Sequence, residues 1–180
     1  GSGARLLLVD ADGERLDAVA AEVAELGGTA TPVVADLSDP DAPNVVAARA
    51  VETLGGVDGL VSNAGIARAA RLVDMTVEDY DAVMSLDARA TWLLGKALHS
   101  ELRSTRGSIV ATASISGSQP TPPIGAYSAA KAALIMLVRQ MALEWGPDGI
   151  RVNTVSPGPT ITGMTQAAFG GGSDEQRSNR

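Results

Sequence analysis

The sequence predicts an α/β fold in which a doubly wound parallel sheet is covered by helices on both faces, in three α/β/α layers. Three observations predict it. Short apolar runs alternate with amphipathic stretches of helical length, glycine pairs separate two of the helices from the next strand, and the apolar runs end in polar or small residues. Right-handed βαβ units produce this alternation. Residues 1–180 are read as one domain, and 170–180, rich in glycine and polar residues, as a mobile tail.

The apolar runs and the breaks between them set the expected elements. Strands are predicted over Arg5–Asp10, Ala30–Ala35, Val57–Ser62, Ser108–Thr112 and Arg151–Val155. Helices are predicted over Glu14–Leu26, from Asp39-Pro40 to Leu54, from Thr76 to about Ser104 in two parts, and over Gly125–Trp145. Asp39 is expected to cap the second helix with Pro40 in its first position, and Thr76 with Asp79 resembles a capping box.

Composition excludes several classes of function. The net charge is −7 and only 3% of residues are aromatic, which argues against nucleic-acid binding. There is no cysteine and a single histidine, so neither disulfides nor a metal site are expected. The longest apolar run, Ala132–Val138, is far shorter than the roughly 20 residues of a membrane span. No signal peptide is recognised, so a cytoplasmic location without membrane contact is the expectation.

Tyr127 and Lys131 form the chemically informative pair. They are four residues apart, so on a helix they share one face. A nearby cation favours the phenolate and would lower the tyrosine pKa from about 10. Ser114 follows the fourth strand, at the edge where open α/β sheets bind ligands. The spacing alone can arise by chance, although the chain has only two tyrosines and two lysines.

These segments together resemble the short-chain dehydrogenase/reductase family in its compact single-domain branch, from Gly3 to about Met164. The matching motifs are Leu8-Val9-Asp10, Ala35-Asp36-Leu37, Ser62-Asn63-Ala64-Gly65, Ser114, Tyr127-Ser128-Ala129-Ala130-Lys131, and Arg151-Val152-Asn153 leading to Pro157-Gly158 with Thr162. The resemblance implies a Rossmann-like domain that transfers a hydride between NAD(P) and a small secondary alcohol or ketone. An epimerase or dehydratase of the longer branch is disfavoured by Asn63-Ala64-Gly65 and Pro157-Gly158.

The resemblance also implies roles for single residues. Tyr127 would be the acid/base, Ser114 would hold the substrate oxygen, and Lys131 would lower the tyrosine pKa and hold the nicotinamide ribose. The implied cofactor contacts are the backbone of Asn63, Ala64 and Gly65, the nicotinamide-side residues Pro157, Gly158, Thr160 and Thr162, and Asp36 and Leu37 beside the adenine. A homodimer or homotetramer formed by the helices around Trp92 and Trp145 is implied as well.

Asp10 is expected to select NAD over NADP. An acid at the end of this strand hydrogen-bonds the ribose hydroxyls and repels a 2′-phosphate. The next residue is Ala11 rather than arginine, and neither Arg5 nor Arg15 is well placed in sequence. The alternative is that Asp10 only caps a turn.

Two features depart from the family pattern. Asp87 stands where the family usually has a catalytic asparagine, and its charge would partly cancel the effect of Lys131, giving a slower enzyme or a more alkaline optimum. The glycine-rich turn that seats a pyrophosphate is expected about 20 residues before Asp10, so the chain is expected to lack family segments at both ends. The strand expected to be missing is, by family topology, the middle of the sheet, between the strands that end at Asp10 and Ser62. A longer parent protein is favoured over rearranged ends or ends supplied by another chain. The alternative function is a non-catalytic fragment or binding subunit.

Overall fold

The computed structural model describes residues 3–160, which form a parallel α/β fold. The strands are β1 (Arg5–Asp10), β2 (Thr29–Val34), β3 (Gly59–Ser62), β4 (Ser108–Thr112) and β5 (Arg151–Val155). The helices are α1 (Gly13–Glu25), α2 (Ala42–Leu54), α3 (Val77–Met84), α4 (Ala90–Ala97), α5 (His99–Thr105) and α6 (Tyr127–Trp145). A π-helical turn, Ser85–Arg89, joins α3 to α4. The α/β class predicted from the alternating pattern is confirmed, while Thr162 and residues 170–180 lie outside the described range.

The strands form two sheets rather than one. β1 pairs with β2, and β3, β4 and β5 pair in that order, all in parallel. β1 and β3 are therefore not paired with each other, as the family topology implied for the strands that end at Asp10 and Ser62. The two parts still share a core, because Leu7 of β1 and Leu60 of β3 pack against the same clusters of buried side chains.

The main core lies on one face of the strands. It is built by α2, α5, α6 and the inward residues of β4 and β5, with Leu102, Ile109 and Leu134 almost completely buried. Burial alternates along the strands, as the period of two requires. Leu60 faces this core, whereas its neighbour Val61 is 74% exposed on the opposite face. The predicted helical layer is therefore present on the face of β3 that carries Leu60.

Helix starts follow local capping chemistry with one correction. Thr76 Oγ1 accepts a hydrogen bond from Asp79 N–H at 3.1 Å, which confirms the predicted start of α3. The predicted start of α2 was wrong: Asp39 Oδ1 accepts from Asp41 N–H at 2.9 Å, which makes a turn, and the helix begins at Ala42. The aspartate-proline pattern recurs nearby in Asp41-Ala42-Pro43, so sequence alone does not distinguish the two starts.

No helix within residues 3–160 is both long and apolar enough to cross a membrane.

Candidate active site

The carboxyl ends of the strands bring the predicted residues to one edge of the fold. Because the strands within each sheet are parallel, β3, β4 and β5 end at the same side of their sheet, and β1 and β2 end at the same side of theirs. The pairing of β4 with β5 continues beyond the strands, since Ala113 N–H donates to Val155 O at 2.8 Å and Ile115 N–H donates to Pro157 O at 3.2 Å. Ser114 is therefore held beside the segment that begins at Pro157.

Tyr127 is brought to this edge by the start of α6. Gly125 adopts a φ of 49°, and a Cβ there would lie 2.9 Å from Ala70 O, so a glycine suits this turn. Tyr127 N–H donates to Ile124 O at 3.0 Å, and α6 begins at Tyr127. Lys131 follows one turn later, and its Nζ lies 5.5 Å from the centroid of the Tyr127 ring. Tyr127 and Lys131 thus share a helix face, as their spacing predicts.

The Tyr127 hydroxyl is in a site that favours its neutral form. Burial raises the pKa of Tyr127 above its usual range, a hydrogen bond with Ser114 lowers it, and the charge of Asp87 raises it further. The net direction is upward. This differs from the expectation that the lysine would dominate and lower the tyrosine pKa.

Asp87 lies on the π-helical turn and faces Lys131. Its Oδ1 is 3.0 Å from Lys131 Nζ, and the side chains are 0% and 4% exposed respectively. Asp87 Oδ2 also accepts a hydrogen bond from Ile66 N–H at 2.9 Å, and Lys131 Nζ donates to Thr112 O at 3.0 Å. Burial raises the pKa of Asp87, although Lys131 and the Ile66 amide act in the opposite direction. A single buried ion pair therefore links the π-helical turn, α6 and the loop after β3.

Gly65 lies against this ion pair. A Cβ at Gly65 would be 2.6 Å from Asp87 Oδ1 and 3.3 Å from Lys131 Nζ, so no side chain fits there without displacing the pair. Asn63 and Ala64, just before it, are exposed. Exposed backbone is therefore available at the end of β3, next to the buried charges.

The residues expected around an adenosine lie at the ends of β1 and β2. Asp10 is exposed, and its Oδ1 accepts from Asp12 N–H at 2.9 Å, so it does form the turn considered as an alternative. Asp36 is also exposed. Hydrogen bonds from Ser38 lower the pKa of Asp36, and the bond from the serine side chain has a larger effect than the bond from its backbone. The Leu37 side chain is only 8% exposed and packs in the core, so only its backbone is available for contacts at this edge.

On the opposite side, Pro157 is half-buried, and Gly158 and Thr160 are exposed. Thr160 Oγ1 donates to Gly158 O at 3.1 Å, which gives this segment a local turn. These residues follow β5 directly. They lie beside Ser114 through the Ile115–Pro157 hydrogen bond.

Sequence reasoning missed Arg89. Its guanidinium donates to Ser38 O at 2.7 Å, across 51 residues of chain. The same π-helical turn therefore carries Asp87, which pairs with Lys131, and Arg89, which reaches the loop after Asp36. No local pattern in the sequence signals a contact between positions so far apart.

Comparison with known proteins assigns the family. The family model described as enoyl-(acyl carrier protein) reductase matches residues 1–179. An inactive 2-(S)-hydroxypropyl-CoM dehydrogenase 2 from Xanthobacter autotrophicus is 38% identical over 177 residues, covering 97% of this chain and 76% of that protein. The chain belongs to the short-chain dehydrogenase/reductase family.

Other family members add to this picture. The meso-2,3-butanediol dehydrogenase of Serratia marcescens is 36% identical over 163 residues, which is 91% of this chain and 64% of the dehydrogenase. An alcohol dehydrogenase of Thermococcus sibiricus, solved with 5-hydroxy-NADP, superposes with a TM-score of 0.83 at 28% identity, covering 89% of this chain and 68% of that one. The chain spans between 63% and 76% of the length of the first curated relatives that it matches.

The family's nicotinamide cofactor fits the residues present at this edge. The side chain of Asp10 is an exposed hydrogen-bond acceptor, and Gly65 keeps a side chain away from the buried lysine. Ser114 and Tyr127 are both half-buried, and a hydrogen bond joins their side chains.

Proposed function

We propose that this chain carries the catalytic core of an NAD-dependent oxidoreductase that interconverts a small secondary alcohol and its ketone. The observation that carries the proposal is the placement of Ser114 and Tyr127 together at the carboxyl edge, with a buried lysine one helical turn behind the tyrosine. The substrate class follows the family resemblance and accords with the naming of the Serratia marcescens relative as a butanediol dehydrogenase.

Each residue has a distinct task in this proposal. Ser114 donates a hydrogen bond that orients the substrate oxygen, and Tyr127 exchanges the proton with that oxygen. Lys131 and Asp87 hold the inner wall of the site through their ion pair. A bound nicotinamide supplies or accepts the hydride. Its proposed contacts are Asp10, Asp36, the backbone of Leu37, Asn63, Ala64, Gly65, Tyr127, Lys131, Pro157, Gly158, Thr160 and Thr162.

The preference for NAD over NADP rests on charge. Asp10 presents a carboxylate where a 2′-phosphate would lie in NADP, and like charges repel. The nearest arginine in sequence after it, Arg15, lies with its Nε 3.2 Å from Asp12 Oδ2 and is therefore already paired with an acid. The Thermococcus sibiricus enzyme was solved with 5-hydroxy-NADP, which describes the cofactor of that enzyme and does not decide the preference of this chain.

The test uses the two tyrosines of the chain. NADH binding is measured by fluorescence, followed by turnover with small ketones and secondary alcohols. Tyr127→Phe should keep NADH binding and lose at least about 100-fold in turnover, because a general acid/base typically contributes 10²–10⁴-fold. Tyr80→Phe, on the exposed face of α3, is the matched control and should be unaffected. Equal activity of the two variants would disprove the assignment.

A non-catalytic binding subunit is the second candidate. It is favoured by one observation, the relative from Xanthobacter autotrophicus that is named as inactive yet is 38% identical. In that case the chain would bind NADH without turning over any alcohol or ketone, and Tyr127→Phe would change nothing.

We also propose that the chain forms a homo-oligomer through the outer faces of α4 and α6. These faces expose large apolar side chains, with Trp92 at 38%, Met136 at 59% and Leu143 at 75%. Light scattering should give two or four times the chain mass of 18.3 kDa. A monomer at all concentrations would refute this. A cytoplasmic location remains part of the same proposal.

A further inference from the structure

The buried Asp87–Lys131 pair has a consequence for the proton chemistry of Tyr127. Both side chains are removed from solvent, with Asp87 1% and Lys131 3% exposed. Their charged atoms are 3.0 Å apart, so the field of the lysine is largely balanced by the carboxylate. A lysine without such a partner would act on the phenol with its full charge.

The pair is also fixed in position. Asp87 Oδ2 accepts from Ile66 N–H at 2.9 Å, and Lys131 Nζ donates to Thr112 O at 3.0 Å. Four segments therefore hold the two side chains together: the π-helical turn, the loop after β3, the end of β4, and α6. Gly65 closes the remaining side, since a Cβ there would be 2.6 Å from Asp87 Oδ1. With these partners in place, Lys131 Nζ lies 5.5 Å from the centroid of the Tyr127 ring.

Other charges around α6 do not replace the pair. The charged residues on α6 and on the elements packed against it are Glu78, Asp79, Asp81, Asp87, Arg89, Lys96, Lys131, Arg139, Glu144, Asp148 and Arg151. Asp79 pairs with Arg68 at 3.4 Å, Lys96 lies over Trp92, and Asp148 pairs with His99 and Arg103. Among these charged groups, Asp87 is the one that raises the pKa of Tyr127, and its effect is smaller than that of burial.

We infer that Asp87 is a positioning residue that, by pairing with Lys131, offsets the lysine's stabilisation of the Tyr127 phenolate, so that the buried phenol holds its proton well beyond neutral pH. The site then favours carbonyl reduction through neutral pH, with alcohol oxidation confined to alkaline pH. This inference rests on the proposed function. In reduction, the carbonyl carbon gains a hydride from the reduced nicotinamide, and the carbonyl oxygen gains the proton of the Tyr127 hydroxyl. The phenolate that remains then takes a proton from solvent. Oxidation reverses these steps and must begin from the phenolate.

The decisive experiment titrates Tyr127 directly, without cofactor. The chain has two tyrosines, so Tyr80→Phe leaves Tyr127 as the only phenol. Phenolate formation is followed by ultraviolet absorbance as the pH is raised, while tryptophan fluorescence reports folding. In this background Tyr127 should ionise above the value of about 10 for free tyrosine. Adding Asp87→Asn should lower the midpoint by about one pH unit, because a like charge close to the group has been removed.

A matched control separates charge from general effects. Asp81→Asn removes one carboxylate from α3, which also packs against α6, but on its exposed surface, and it should leave the Tyr127 midpoint unchanged. If Asp87→Asn and Asp81→Asn give the same phenolate absorbance at every pH at which both are folded, the inference is overturned. A purely structural role for Asp87 would change stability without moving this titration.

Activity provides a second readout where the chain turns over substrate. The rate of reduction should stay level through neutral pH and fall only at alkaline pH, while the rate of oxidation should rise with pH. Asp87→Asn should move both transitions to lower pH by about the same one unit. Unmoved profiles would contradict the inference. If the chain fails to bind NADH, the proposed function fails, while the tyrosine titration still decides the inference.

Discussion

Replacing Lys131 by methionine should destabilise the fold in a strongly pH-dependent way. The substitution keeps an unbranched side chain that fills most of the same space, but it leaves Asp87, whose side chain is 0% exposed, without its counter-ion. At 3.0 Å and an effective dielectric constant of about 20, the lost attraction is about 5.5 kcal/mol. Removing one partner of a buried pair typically costs about 3–5 kcal/mol, so a loss in that range is expected at neutral pH.

The sign of the pH dependence follows from Asp87. Burial already raises the pKa of Asp87 in the folded chain, and removing Lys131 removes a group that lowers it. The folded variant therefore favours the protonated carboxyl, whereas the unfolded chain releases its proton at about pH 4. The destabilisation should be small at about pH 4 and below. It should grow as the pH rises above about 4 and level off once the pH exceeds the folded-state pKa of Asp87.

The assay is urea unfolding followed by tryptophan fluorescence, at several values between about pH 4 and pH 8. Lys96→Met is the matched control, because Lys96 is the only other lysine, is exposed, and contributes at most a cation–π contact with Trp92. It should cost less than about 1 kcal/mol at every pH. Adding Asp87→Asn to Lys131→Met should restore part of the stability. A loss that is equal at both ends of the pH range would refute the reasoning.

Two further predictions concern the edges of the site. Gly65→Ala should destabilise the chain by about 1–3 kcal/mol, because its Cβ would be 2.6 Å from Asp87 Oδ1. Gly146→Ala, where a Cβ meets no atom within 4 Å and φ is −55°, should instead be neutral or slightly stabilising in the same urea assay. Asp10→Ser should relax the preference for NAD, raising the ratio of kcat/KM with NADP to that with NAD. The assignment of Asp10 fails if the parent protein already uses both equally.

Local patterns were sufficient for most of the secondary structure. β1, β4 and β5 have the predicted bounds because continuous apolar runs bordered by turn residues are characteristic of buried parallel strands. The start of α2 was misplaced, since Asp39 and Asp41 each precede a proline within two residues and only one of these turns continues as a helix. The gap between β1 and β3 agrees with the family topology, which places a further strand between the strands that end at Asp10 and Ser62. The pairing registers required the structure, because strand pairing depends on neighbours that are distant in the chain.

The sequence by itself determined the fold class and the shared helix face of Tyr127 and Lys131, because both depend on periodicity within a few residues. It also indicated that Asp87 would lie near Lys131, through its resemblance to the family. Only the tertiary structure decided that the two form a buried pair at 3.0 Å, and that the pKa of Tyr127 is raised rather than lowered. These outcomes depend on burial, which is set by how distant segments pack around a charge.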